Sequence, residues 1–196
     1  MSAVFHGPYA AMVTPFDEGA ELSEPRLAAY CEFLIGQGIG GLFAFGTTGE
    51  WPLLAEEERA GGARALVKQA AGRVPVIVHA GAHGTAQAIR LARAAREAGA
   101  AAASLISPPF YPLDPEALQE HFVAVARAVP GFPLFLYNLP EYAGNDITPG
   151  EQLRVLEHGY RLRVVETRQP YVPLSVDTPE DLERARELAG RLEAAT

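Results

Sequence analysis

Lysine is almost missing from this sequence. Lys68 is the single one, and the rest of a basic total of 16 is arginine. Chemistry that needs a side-chain amine has one group to draw on, in a stretch, "AEEERAGGARALVKQAAG", that reads as a helix rather than a strand end. Cysteine is as scarce: Cys31 alone excludes an internal disulfide, and its place on an amphipathic pattern marks a small core residue rather than a reactive thiol. No apolar run reaches the length of a membrane span. The opening "MSAVFHGPYA" has no basic region leading into an apolar core, so a cytoplasmic protein without a membrane partner is expected. Positive charge is in deficit, and a formal net charge of −8 argues against a nucleic-acid-binding surface. Zinc-ligand spacing, a dinucleotide glycine fingerprint and a P-loop are all lacking, so no cofactor is implied. His79 and His83, near the end of a strand-like run, could touch a ligand, but they read more readily as partly exposed, solvated loop histidines.

What is present suffices for one ordinary domain. The chain has 196 residues, 48% hydrophobic and 20% charged, in the range of soluble globular proteins. Strand-like and helix-like segments alternate. "PYAAMVTPFD" is a short strand ending in a turn, and Leu27, Tyr30, Cys31, Leu34 and Gly38 then recur at helical spacing. "GLFAFG" is the next strand. The helix after it begins at Ala55, where a hydroxyl cap is expected and missing, and Gly61 and Gly62 interrupt its interior at about 1 kcal/mol each. "VPVIVHAG" is a continuous apolar strand, as in sheets covered on both faces. A helix started by Thr85, the strand "AAASLISPPF", a helix with Leu118, Phe122, Val125 and Val129 on one face, and the strand "FPLFLYNLP" follow.

Five such repeats with short connections predict a parallel sheet wrapped by helices. Beyond Thr148, "TPGEQLRVLEHG" can form a short helix and "YRLRVVET" a strand, whereas "RQPYVPLSV" reads as an irregular connection. "DTPEDLERARELAGRLEA" is a helix with Pro179 at its first position, a capping box from Thr178 to Asp181, and Leu182, Ala185, Ala189 and Leu192 inward. The fold class is α/β, with about five to six βα units. A closed (β/α)8 barrel needs eight and typically ~250 residues, so the expectation is an incomplete barrel whose open edges invite self-association.

The second strand stops at "GTTGE". In a parallel βα architecture the C-terminal strand ends carry the working groups. Two hydroxyls, Thr47 and Thr48, between Gly46 and Gly49 suit a carboxylate, because glycines admit a ligand close to the backbone N–H groups, although four such residues alone equally suit an ordinary glycine-rich turn.

Residues 1–148 resemble the dihydrodipicolinate synthase / N-acetylneuraminate lyase family of pyruvate-dependent class I aldolases. "TPFD", "GTTGEWPLLAEEER", "VPVIVHAGAHGTAQAI", "SPPFYPLDPEALQEHF" and "LYNLPEYAGNDI" occur in the family's order. The resemblance implies a 2-keto acid ligand such as pyruvate, Thr47 and Thr48 on its carboxylate, and Tyr137 as a proton relay beside the carbonyl. Phe110 aligns with the tyrosine that family members contribute across a subunit interface, and Tyr111 is adjacent. Tyr142 stands where dihydrodipicolinate-forming enzymes usually carry arginine, which implies a 2-keto-3-deoxy-sugar-acid aldolase or a related enzyme instead. Family chemistry also uses a Schiff-base lysine on strand six. The spacing from Tyr137 reaches Val164, Val165 and Glu166, none of which is a lysine. The tail, 149–196, resembles the C-terminus of 3-deoxy-manno-octulosonate cytidylyltransferase, with a join near Pro149–Glu151, and is expected to pack on the same domain. Asp177 of its "VDTPEDLE" is the metal-holding aspartate that this second resemblance implies, but a lone carboxylate reads as a helix-start residue.

Overall fold

The computed structural model describes residues 5–147 together with 178–180, 183–184 and 186–187. Five strands appear among them: β1 (Tyr9–Ala11), β2 (Gly41–Ala44), β3 (Val76–His79), β4 (Ala102–Ile106) and β5 (Leu134–Tyr137). Between consecutive strands run α1 (Glu24–Gly36), α2 (Glu56–Ala70), α3 (Thr85–Glu97) and α4 (Pro115–Ala128), and the short α5 (Pro140–Ala143) follows β5.

All neighbours pair in parallel, in the order β1-β2-β3-β4-β5, with Leu42 opposite Val76, Val78 opposite Ala103 and Ile106 opposite Tyr137. The order never reverses. Right-handed crossovers between sequential neighbours put every helix on one side and leave the other side free to curl inward, the geometry of a partial (β/α)8 barrel rather than a doubly wound sheet. Phe5 reports the curl, since its ring packs edge-on against Phe135 of β5 at 5.0 Å and also reaches Tyr9 of β1 at 6.4 Å.

Strand alternation sorts side chains between the two faces. Leu42, Ala44, Val76, Val78, Ala103 and Leu105 point to the helices and merge with Leu27, Cys31, Leu66, Leu91, Leu118 and Val125 in the main core. β3 and β4 are buried along their whole length, which is why their sequences are continuously apolar.

The helices start by different means. α1 has Ser23 as its cap, with Pro25 in the first turn, and α4 has Asp114, whose carboxylate accepts from the Ala117 N–H at 2.7 Å. At α2 the missing hydroxyl is partly offset: Glu58 reaches back to accept from the Ala55 N–H at 2.7 Å, and three glutamates fill the first turn. α3 starts at Thr85, as expected. Gly84 holds the cap position without a side-chain bond, and the Thr85 hydroxyl pairs with His121 Nδ1 at 3.0 Å, tying α3 to α4.

The chain divides into two compact units, 1–161 and 162–196. In the second, Pro179, Glu180, Glu183, Arg184, Arg186 and Glu187 are helical, and Glu183 pairs with Arg186. Asp181 of the expected capping box, the stripe Leu182, Ala185, Ala189 and Leu192, the sixth strand and Asp177 lie outside the described residues.

Candidate functional site

The turn after β2 is braced from several directions. Thr14, just past β1, donates from its hydroxyl to the Gly49 carbonyl at 2.6 Å, while the Gly49 and Trp51 N–H groups both return to the Gly46 carbonyl. Glycine is required here by packing as well as by access to a ligand. A Cβ on Gly46 would overlap the Phe43 ring, and one on Gly49 would stand 3.0 Å from both the Met12 carbonyl and Phe45 Cα. The left-handed backbone that lets the chain turn falls instead on Phe45 and Glu50, with φ of 57° and 58°. Both are non-glycine residues, so strain is stored on either side of the two threonines.

The threonines differ. Thr48 is exposed, whereas Thr47 is half-buried, with its Oγ1 out of solvent and without a hydrogen-bond partner. Trp51, at the end of the same segment, packs with Ile106 and Ala143, and Tyr137 and Leu139 lean on that cluster. The turn and Tyr137 are thereby joined on the inner face of the sheet. Phe43, His79 and Tyr137, from three strands, form a ring triangle there, with centroids 6.2, 5.9 and 6.0 Å apart and near-perpendicular planes.

The histidines part company. His83 is exposed and rests on Trp51 at 5.4 Å. His79, expected to be solvated, is the last residue of β3 and is 0% exposed, with neither ring nitrogen partnered. Strand alternation is the reason: Val76 and Val78 face the helices, so Ile77 and His79 face inward. Burial first, and then the Arg59 charge, push its pKa down to about 3, so the ring is neutral at ordinary pH.

Arg59 has no signal in the sequence beyond an arginine in a helix, yet it is 2% exposed. It donates to the His79 and Gly81 carbonyls at 2.7 and 2.9 Å and lies 5.4 Å from the Trp51 ring centre. Burial lowers its pKa to about 10, so it stays charged while holding the end of β3 against α2.

The aromatic residues of the other loops stand apart. Phe110, at φ 87°, is 82% exposed, Tyr111 71% and Tyr142 70%, and Phe110 and Tyr111 pack edge-on at 4.9 Å. Asn145 fastens the loop that carries the first two. Its side chain accepts from the Leu113 N–H at 2.7 Å and donates to the carbonyls of Pro108 and Tyr111, and its own carbonyl accepts from Ser107. Among the described residues no group of three or more His, Cys, Asp or Glu side chains could hold a metal ion, and no helix is long and apolar enough to cross a membrane.

Comparison with known proteins agrees with this geometry. The family model described as the dihydrodipicolinate synthetase family matches residues 4–162. A 4-hydroxy-tetrahydrodipicolinate synthase of Nitratidesulfovibrio vulgaris is 43% identical over 145 residues, 74% of this chain and 49% of its own length. The enzyme of the same name from Thioalkalivibrio sulfidiphilus is 37% identical over 188 residues, 96% of this chain and 60% of its own. Among solved structures, YagE, a prophage protein of E. coli K12 in complex with pyruvate, superposes with a TM-score of 0.75 at 33% identity, over 80% of this chain and 52% of that one. The chain spans about half the length of the curated relatives it matches. With the sheet order, the strand-end turn and these alignments in agreement, the chain belongs to the dihydrodipicolinate synthetase family.

Proposed function

We propose that this chain carries the keto-acid-gripping part of a pyruvate-dependent aldolase site and supplies no amine for the covalent step. The carrying observation is the joining of the "GTTGEW" turn to Tyr137 at the C-terminal end of the inner face, with the Thr47 hydroxyl buried and unpartnered. Thr47 and Thr48, on the turn between Gly46 and Gly49, take the carboxylate. Tyr137 stands by the carbonyl and relays a proton. The pyruvate bound by the related YagE protein supports a 2-keto acid as the ligand.

In the family reaction a lysine amine adds to the ketone of pyruvate, water leaves, and the imine withdraws electrons from the neighbouring carbon. Lys68, the single lysine, is exposed in the last turn of α2, on the helix side of the sheet. It cannot serve that position. The site therefore binds keto acid weakly and reversibly, near millimolar or about −4 kcal/mol, and performs no aldol turnover. Incubation with pyruvate and borohydride followed by intact-mass measurement tests this. An unchanged mass, or slow labelling confined to Lys68 or the amino terminus, is expected. Rapid stoichiometric reduction onto the protein would overturn it.

Tyr142, in the position where dihydrodipicolinate-forming enzymes usually carry arginine, favours a 2-keto-3-deoxy-sugar-acid type of substrate. Phe110 and Tyr111 are exposed, and β1 and β5 pair on one side only among the described residues, which supports self-association. A monodisperse monomer in sedimentation at high concentration would argue against that. The family match runs across the expected join to residue 162, so the likeness to a cytidylyltransferase C-terminus is kept only beyond it and without its chemistry, since Asp177 alone builds no Mg²⁺–nucleotide site. CTP-dependent transfer onto an eight-carbon keto sugar would reverse this reading.

A further inference from the structure

Alternate carbonyls of a strand in a parallel sheet point to the same neighbour. The Leu42 N–H of β2 donates to the Pro75 carbonyl, whereas the Val76 carbonyl turns the other way, to the Ala101 N–H beside β4. The pattern continues at Ala80, whose N–H donates to Ser104 of β4, so the carbonyls of His79 and Gly81 face the β2 side. But β2 ends at Ala44, opposite Val78, and leaves the sheet for the "GTTGEW" turn. Two carbonyls at the end of β3 are left facing a gap. Arg59 of α2 fills it, donating to them at 2.7 and 2.9 Å, so its guanidinium stands where β2 would have run on.

A neutral amide could serve those carbonyls, and a buried cation is expensive. Arg59 hydrogen-bonds to carbonyls and not to a carboxylate, and Glu56, one turn earlier on α2, is taken up by Arg90 at 2.7 Å. The charge is set instead against Trp51, whose ring centre is 5.4 Å from the guanidinium carbon. An indole attracts a cation most strongly when both are out of water, and Trp51 is 5% exposed.

Trp51 is also the far anchor of the turn that carries the threonines. It follows Glu50, with its left-handed φ of 58°, and opens the 3-10 turn Trp51–Leu53. The turn is thus held at one end by Thr14, through the Gly49 carbonyl, and at the other by Trp51, packed on Ile106 and Ala143. Strained backbone keeps its shape only where its surroundings over-determine it.

We infer that Arg59 is a positioning residue of the keto-acid site, holding Trp51, and through it the turn with Thr47 and Thr48, against the end of β3. This rests on the keto-acid reading of that turn and adds a residue that touches no ligand. A guanidinium can serve two carbonyls at its edge while its face meets an indole; an ammonium cannot do all of this at once.

Trp51 is the single tryptophan, so its emission reports the contact directly. The test compares the full chain with its Arg59→Met and Arg59→Lys variants, each shown to be folded by circular dichroism, in Trp51 emission and in pyruvate affinity by ligand-observed NMR. Arg59→Met moves the emission to longer wavelength and weakens pyruvate about tenfold, and Arg59→Lys recovers part of both. In a Trp51→Leu background, Arg59→Met weakens pyruvate no further, because the route is already cut. Should the variants fail to fold, the wild-type side-chain ¹⁵N signals decide: pyruvate moves those of Arg59 and Trp51 together, and an Arg59 signal that stays still overturns the inference. A merely structural arginine would lower the unfolding midpoint and leave the emission and affinity of the folded protein unchanged. That result, or additive losses in the double variant, overturns the inference alone. Failure of wild type to bind pyruvate overturns the keto-acid reading and this inference with it.

Discussion

On the helix side of the sheet, Leu42, Ala44, Val76, Val78, Ala103 and Leu105 present nothing but aliphatic surface to helices that match it. On the other side, the neighbouring strand positions present Phe43, His79, Ser104 and Tyr137, a surface of rings and polar atoms in which both His79 ring nitrogens are unanswered. One backbone, read at alternate residues, thus serves two purposes. The outer face was selected for burial, where each methylene removed from water contributes to stability. The inner face keeps groups that cost stability, which is sensible only if a ligand repays them when it binds.

The most forceful way to break this division is to cut the outer face. Leu105→Ala should cost about 2–5 kcal/mol in urea unfolding, because a fully buried side chain is removed from a packed layer. Tyr137→Phe on the inner face should cost under about 1 kcal/mol, since it keeps the ring and removes a hydroxyl from a half-buried position. Equal losses would mean that both faces are merely structural.

Acid sharpens the contrast. The folded pKa of His79 lies near 3, below the unfolded value of 6.5, so in acid the unfolded chain takes up a proton that the folded chain refuses. The penalty is absent at pH 7 and grows as pH falls from about 6.5 toward 3, amounting to about 2–3 kcal/mol between pH 6 and pH 4. His121, lowered to about 4 by burial, acts in the same direction. Urea midpoints across that window should therefore fall less steeply in His79→Phe than in wild type, with the His121 share of the slope remaining. Parallel slopes would show that His79 is not the buried neutral group described.

A smaller effect is expected at the brace. Thr14→Val removes the donor to the Gly49 carbonyl and should cost about 1–2 kcal/mol, with weaker pyruvate binding that Thr14→Ser restores. The smallest lies in α2, where two adjacent glycines should behave oppositely. Gly61→Ala meets only the Arg64 side chain at 3.7 Å and should stabilise by about 0.5–1 kcal/mol. Gly62→Ala would press within 2.6 Å of Phe45 Cζ and should destabilise. Thermal unfolding of the two variants separates them.

The outer face was the legible part of the sequence. Continuous apolar runs, helical periodicity and short connections gave five βα units, because those signals come from local burial that each segment displays on its own. "GTTGE" and Tyr137 were legible through position, at the ends of strands. Arg59, Thr14 and Asn145 were not, because each works by reaching 20 or more residues along the chain to a backbone group that only the folded sheet brings near. His79 was misread for a related reason: its burial depends on rings from β2, β5 and the turn before α2, and no window around residue 79 contains them.

The most direct test of the central claim is an equilibrium titration with ¹³C-labelled pyruvate, comparing wild type with Thr47→Val. The account predicts saturable, fully reversible binding near millimolar in wild type, weakened about tenfold when the Thr47 hydroxyl is removed from an otherwise folded protein. No saturable binding, or equal affinity in the two proteins, would contradict it.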